Sequence, residues 1–236
     1  MCIRDRVGVY YLPYFPKEYR FHFNAHNIIV YGREGDNYLV SDPVMETVTT
    51  LSRDDMQRVR FARGAMAPRG HLYLPGHVPP VSEERIRIAI QKGIKHNVRD
   101  MLHIPGPVAG VAGIRWTASK VRGWRDKLGL KQAGLYLAQL VRMQEEIGTG
   151  GGGFRYIYGA FLQEAHAYIK NDTLLSVSEQ FTKAGDRWRD TAVICSGIYK
   201  GKHTEQSDFN RVADQMVEIA EMEKKAFTEL SRIKWA

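Results

Sequence analysis

His26-Asn27-Ile28-Ile29-Val30-Tyr31-Gly32-Arg33-Glu34-Gly35-Asp36-Asn37-Tyr38-Leu39-Val40-Ser41-Asp42-Pro43 decides how the first part of this chain folds. Residues 27–32 are an apolar, β-branched run short enough for a buried strand. Residues 33–37 are polar and of hairpin-turn length, and residues 38–41 return as a second strand that Asp42-Pro43 closes. Two adjacent runs joined this way read as an antiparallel pair. His26 stands just before the first strand and Asp42 just after the second, so pairing sets them side by side at one end. A carboxylate there can accept the imidazole N–H, fix its tautomer and stabilise its protonated form, leaving the other ring nitrogen free to activate a thiol. The same spacing also arises where Asp-Pro does no more than begin a turn.

Working outward, Val7-Gly8-Val9-Tyr10-Tyr11-Leu12 has the content of a further strand, ended by Pro13 and Pro16. Met1-Cys2-Ile3-Arg4-Asp5-Arg6 does not read as the start of a domain, and the chain is expected to be a fragment entered at an interior strand. Downstream, Ser52 with Asp54 and Asp55 marks a helix start. Leu74-Pro75-Gly76 and Pro79-Pro80 punctuate the chain, which places a domain boundary at about residue 80.

Beyond it the period becomes helical. Ser82-Glu83-Glu84 opens a segment whose Ile86, Ile90, Ile94, Val98 and Leu102 recur every fourth residue, until Pro105 stops it. Ile114, Ala118, Val121, Trp124 and Leu128 stripe the next helix, and further helices are expected over residues 135–147, 154–169, 174–199 and 209–233. The expected class is α+β, a strand-rich domain over residues 1–80 followed by an all-α domain over residues 81–236.

Composition is that of a globular protein, with 44% hydrophobic and 25% charged residues and neither a membrane-span-length apolar run nor a signal-peptide pattern. Two cysteines, Cys2 and Cys195, exclude a disulfide framework and point to a reducing cytoplasm. The net charge of +8 is regional, because residues 81–134 hold eleven Lys/Arg against four Asp/Glu. An acidic carrier protein or phosphorylated ligand, a nucleic acid, and a plain solvated face are all compatible with that surplus, though no nucleic-acid-binding motif accompanies it.

Tyr10-Tyr11-Leu12-Pro13-Tyr14, His22-Phe23-Asn24-Ala25-His26-Asn27-Ile28-Ile29-Val30-Tyr31-Gly32 and Tyr38-Leu39-Val40-Ser41-Asp42-Pro43 together resemble the N-terminal family of butirosin biosynthesis protein H. That family is similar to papain-like peptidases that remove double-glycine leaders. The resemblance implies a papain-like domain in which His26 is the base, Asp42 its orienting acid and a cysteine far upstream the nucleophile. It also implies acyl transfer in secondary metabolism, from an acyl carrier protein bearing phosphopantetheine to a small-molecule amine, with amide hydrolysis as the related outcome. Residues 148–165, Gly148-Thr149-Gly150-Gly151-Gly152-Gly153-Phe154-Arg155 and onward to Ala165, resemble the helical domain of unknown function that commonly follows.

Neither cysteine in the chain suits the missing role. Cys2 lies in the doubtful hexapeptide and Cys195 in the apolar run Ala192-Val193-Ile194-Cys195, where a small buried hydrophobe fits. A non-catalytic ligand- or carrier-binding protein on the same scaffold is the alternative reading. Gly150, Gly151 and Gly152 open a helix, so their N–H groups can cradle a phosphate with Arg155 adding charge; equally, the glycines can let two helices pack closely. No metal is expected, since His22 and His26 lack a third ligand and precede a strand.

Overall fold

A computed structural model of the chain describes residues 2–74, 76, 80–146 and 149–235. The fold is α+β, and it divides into two compact units, residues 1–80 and 81–236. Much of the proline-rich stretch read as the boundary (Pro75, His77, Val78 and Pro79) lies outside the described residues, as do Ile147 and Gly148.

The first unit is a five-stranded antiparallel sheet in the order β4-β3-β2-β1-β5, built from β1 (Ile3–Val7), β2 (His26–Glu34), β3 (Asn37–Ser41), β4 (Thr49–Ser52) and β5 (Leu72–Tyr73). Helix α1 (Arg53–Arg60) sends Met56 and Val59 into the apolar cluster of Val7, Leu12, Ile28, Val30, Val40 and Leu51. Ser52 caps α1 as its sequence position suggests, its Oγ accepting the Asp55 N–H at 3.1 Å.

Two sequence expectations change here. The expected strand over residues 7–12 is instead the end of β1 followed by a 3-10 turn, Val9–Tyr11. The hexapeptide that looked extraneous forms most of β1, which pairs with β2 on one side and β5 on the other. Its Asp5 is buried against the Arg60 guanidinium at 2.6 Å, a partnership 55 residues apart that local pattern does not reveal. The chain then turns at Gly8, whose N–H bonds Val59 O at 2.9 Å and where a Cβ would come within 2.6 Å of Ala62. The hairpin turn is also tighter than expected: the strands run through Glu34 and from Asn37, because Gly35 takes φ 57°.

The second unit is helical, with α2 (Glu83–His103), α3 (Gly110–Val121), α4 (Trp124–Val141), α5 (Arg155–Ile169), α6 (Thr173–Tyr199) and α7 (Gln206–Ser231). The stripe of α2 performs as its spacing predicts: Ile90, Ile94 and Val98 are buried, with Ile86 and Leu102 packed beside them. The next stripe does not stay on one helix. α3 ends at Val121, and Trp124 and Leu128 belong to α4, which itself breaks at Gly129 (φ 73°) and loosens into a π turn over Arg142–Glu146.

α6 and α7 run antiparallel through two apolar clusters. Trp188, Ile194 and Ile198 of α6 meet Phe209, Val212 and Met216 of α7 in one, while Leu174, Val177 and Phe181 meet Ala226, Phe227 and Leu230 in the other. The regional basic surplus is partly answered inside this unit, since Arg115 of α3 and Arg122, just past its end, pair with Glu221 and Asp214 of α7. These pairs are exposed and contribute little stability each, but they return part of the surplus to intramolecular pairing.

Between α4 and α5 the glycine run lies directly on α6. Gly150, Gly151, Gly152 and Gly153 all have positive φ, and a Cβ on Gly152 would stand 3.0 Å from the Gly185 Cα. Gly152→Ala, which adds both left-handed strain and a methyl against backbone, should lower stability by about 2 kcal/mol in urea unfolding.

Candidate active site

The His26–Asp42 juxtaposition depends on an irregularity in the β2–β3 ladder. Nearest the turn the register is Glu34↔Asn37, Arg33↔Tyr38 and Gly32↔Leu39; beyond it the pairs are Val30↔Val40 and Ile29↔Ser41. β2 therefore carries one extra residue, Tyr31, at a bulge. Carried on without the bulge, the turn-side register would set Asp42 opposite Ile29, and His26, an odd number of residues along, would face the other side of the sheet. With it, Asp42 falls opposite Ile28 and His26 shares its face, diagonally across the ladder.

The two side chains meet there. His26 Nε2 lies 2.8 Å from Asp42 Oδ2, with the Asp42 side chain fully buried and that of His26 12% exposed. Three donors converge on this carboxylate: His26 Nε2 and the Tyr14 hydroxyl on Oδ2, the latter also at 2.8 Å, and the Val44 N–H on Oδ1 at 3.0 Å. Burial pushes the Asp42 carboxyl up, but the hydrogen bonds from His26, Val44 and Tyr14, with the charge on His26, outweigh it and hold the group below its ordinary value. Conversely, burial and then the bond to Asp42 raise the Tyr14 phenol far above its ordinary range, so it stays protonated and donates.

An ionised Asp42 can only accept, which requires Nε2 to carry the proton. The lone pair of the neutral ring is then on Nδ1, for which the described residues provide no hydrogen bond. Phe15 packs edge-on to the ring at 5.7 Å between centroids, and His22, the other histidine of the motif, stacks on Tyr10 at 4.1 Å instead. The arrangement can take a proton at Nδ1 and stabilise the resulting imidazolium through a buried, fixed carboxylate. Of the two thiols, Cys2 is exposed, and Cys195 is buried in α6, where burial pushes it up to about 12.

The sequence reading missed Tyr14. It stands in a run of aromatics, Tyr10-Tyr11-Leu12-Pro13-Tyr14-Phe15, in which nothing local separates a hydrogen-bonding tyrosine from one that merely packs.

Two N–H groups of the glycine run are committed within the protein. The Gly152 N–H bonds Glu145 Oε1 at 3.1 Å and the Gly151 N–H bonds Thr149 Oγ1 at 3.2 Å. Gly150 lies beside Ile157, and Arg155 makes a two-point pair with Glu223 at 2.8 and 2.9 Å. Of the groups that sequence assigned to a phosphate (Gly150, Gly151, Gly152 and Arg155), Gly152 and Arg155 thus bond acidic side chains, Gly151 bonds Thr149 and Gly150 packs by Ile157. Glu223 is buried and also accepts the Trp188 N–H at 3.1 Å, where the two apolar clusters adjoin.

Two measurements probe these sites. Because Asp42 is held below the ordinary carboxylate value of 3.8, its contribution to stability is fully present above that value and is lost as pH falls through the lowered one. In urea unfolding from about pH 5 downward, Asp42→Asn should therefore give a flatter stability profile than the parent chain. In the helical unit, Arg155→Met should cost about 3–5 kcal/mol by leaving the Glu223 charge buried alone, and Arg155→Met with Glu223→Leu should recover much of that loss.

A family model described as Butirosin biosynthesis protein H, N-terminal, matches residues 5–43, the segment that spans His26 and Asp42. A model described as Domain of unknown function (DUF4872) matches residues 54–230, beginning within α1 and covering nearly all of the helical unit. No protein with a curated description matches the chain. The chain belongs to the DUF4872 family, with the N-terminal family segment of butirosin biosynthesis protein H ahead of it.

Proposed function

We propose that the sheet unit carries the base half of a cysteine-dependent acyl-transfer site in a bacterial, cytoplasmic protein of secondary metabolism. The observation that supports this best is the 2.8 Å contact between His26 Nε2 and a fully buried Asp42 carboxylate. In this reading His26 Nδ1 takes the proton of a thiol, and the thiolate attacks the acyl carbonyl, forming a thioester and releasing the donor group. The imidazolium returns its proton to that leaving group. An amine then attacks the thioester, with His26 again accepting a proton, and the acyl product departs as the thiol is regenerated. With an amide as the donor, whose amine leaves when the thiolate attacks, and water in place of the accepting amine, the same site is an amide hydrolase. Asp42 acts by holding the imidazole tautomer and balancing its charge.

The nucleophile is assigned to a cysteine upstream of residue 1, in keeping with the resemblance of this segment to a papain-like scaffold. An acyl group on the phosphopantetheine of an acidic carrier protein is the proposed donor, and a small-molecule amine the acceptor. The family match over residues 5–43 connects the segment to butirosin biosynthesis protein H.

The test uses protein expressed from its complete coding sequence and an acyl-phosphopantetheine thioester, with cysteine acylation followed by mass spectrometry. His26→Ala should slow acylation by about 100-fold or more while thermal unfolding is unchanged. Undiminished acylation would remove His26 as the base. Tight binding of the thioester with no covalent adduct in the parent protein would favour the non-catalytic binding reading instead.

A further inference from the structure

We infer that Tyr14, with its loop clamped by Arg20, is a positioning residue that sets the charge and orientation of the Asp42–His26 pair. Tyr14 and Phe15 are consecutive, and they grip the pair at its two ends. The Tyr14 hydroxyl donates to Asp42 Oδ2 at 2.8 Å, while the Phe15 ring meets the His26 ring edge-on at 5.7 Å. The two rings also pack on each other at 5.4 Å. One short loop therefore fixes both the carboxylate and the imidazole.

That loop has no strand or α-helix to hold it, and Arg20 does so instead. Its Nε donates to the Phe15 carbonyl at 2.8 Å and its Nη2 to the Pro13 carbonyl at 2.5 Å. These two carbonyls bracket Tyr14, so the planar guanidinium fixes the backbone on either side of the hydroxyl-bearing residue. A Phe15 N–H to Leu12 O bond at 3.3 Å supplements the clamp.

The electrostatic consequence follows from which oxygen is shared. Oδ2 accepts from Tyr14 and from His26 together, so the phenol competes with the imidazole for the same negative charge. With the phenol bond in place the carboxylate has less charge to offer the imidazole than a bare one would. The bond simultaneously holds Oδ2 towards Nε2, while the Val44 N–H fixes Oδ1. Among the described residues, the ionisable groups that the structure sets in contact with this pair are Tyr14, Asp42 and His26 themselves; Arg20 acts through main-chain carbonyls.

The inference builds on the reading of His26 as a base, but its test needs no thiol, substrate or turnover. In the full chain with 15N-labelled histidine, the titration of the His26 ring is followed by NMR. Tyr14→Phe should raise the His26 midpoint by about half to one pH unit, the equivalent of one hydrogen bond to the carboxylate. In an Asp42→Asn background the same substitution should leave the midpoint unmoved, since the coupling runs through the carboxylate. An unchanged midpoint in the single variant, or equal shifts in both backgrounds, would overturn the proposal. If Tyr14→Phe fails to fold, 3-fluorotyrosine at position 14 keeps the ring and donates more strongly. It should lower the midpoint, and no movement there overturns the proposal too. A negative titration leaves the acyl-transfer reading standing, and a negative acylation assay leaves the coupling standing.

Discussion

A single extra residue in β2 governs what the sheet unit can do. Side chains alternate across a strand, so inserting Tyr31 between two stretches of ladder reverses which residues beyond it share a face. The bulge puts His26 on the face of Asp42, and that face is the one carrying Ile28, Val30 and Val40 into the core. Only there is the carboxylate shielded from water, within reach of Tyr14 and the Val44 N–H. The same two residues on the solvent side would form a weak, screened pair. Burial makes the contact consequential, because the carboxylate is useful to an imidazole only while it remains ionised, and three donors keep it so.

The helical unit applies related physics to a different end. Its buried carboxylate, Glu223, is matched by a two-point guanidinium and an indole N–H, at the junction of two apolar clusters. The glycine run supports that junction: four residues of positive φ let the backbone pass close to Gly185 and deliver Arg155 to its partner. Within the motif that resembles an anion cradle in sequence, the Gly152 N–H is held by Glu145, the Gly151 N–H by Thr149 and Arg155 by Glu223. Buried polar groups of this kind confer geometry more than net stability.

Much of the architecture was legible because it rests on local periodicity. The stripe from Ile86 to Leu102, the Ser52 cap and the paired runs on either side of Gly35 each express a rule that operates within a few residues. Where expectation and structure part, a distant partner intervenes. Residues 3–7 became a central strand because β2 and β5 flank them and Arg60 neutralises Asp5, whereas the more strand-like residues 9–11 turned over α1. The stripe from Ile114 to Val121 and Trp124 packs into the core, but a new helix starts after Gly123, and Leu128, next to the break at Gly129, is exposed.

Sequence by itself determined the α+β class, the β2–β3 hairpin, most of the helices and the fact that an imidazole and a carboxylate stand at one end of that hairpin. Hydrogen-bonding periods and chain punctuation are local properties, and they survive without knowledge of the fold. Tertiary structure alone decided that His26 and Asp42 share the buried face, that Tyr14 completes their bonding and that Arg155 answers Glu223. Register parity depends on a bulge that no residue type announces. The state of a buried charge depends on donors that converge from tens of residues away, and only the folded chain brings them within bonding distance.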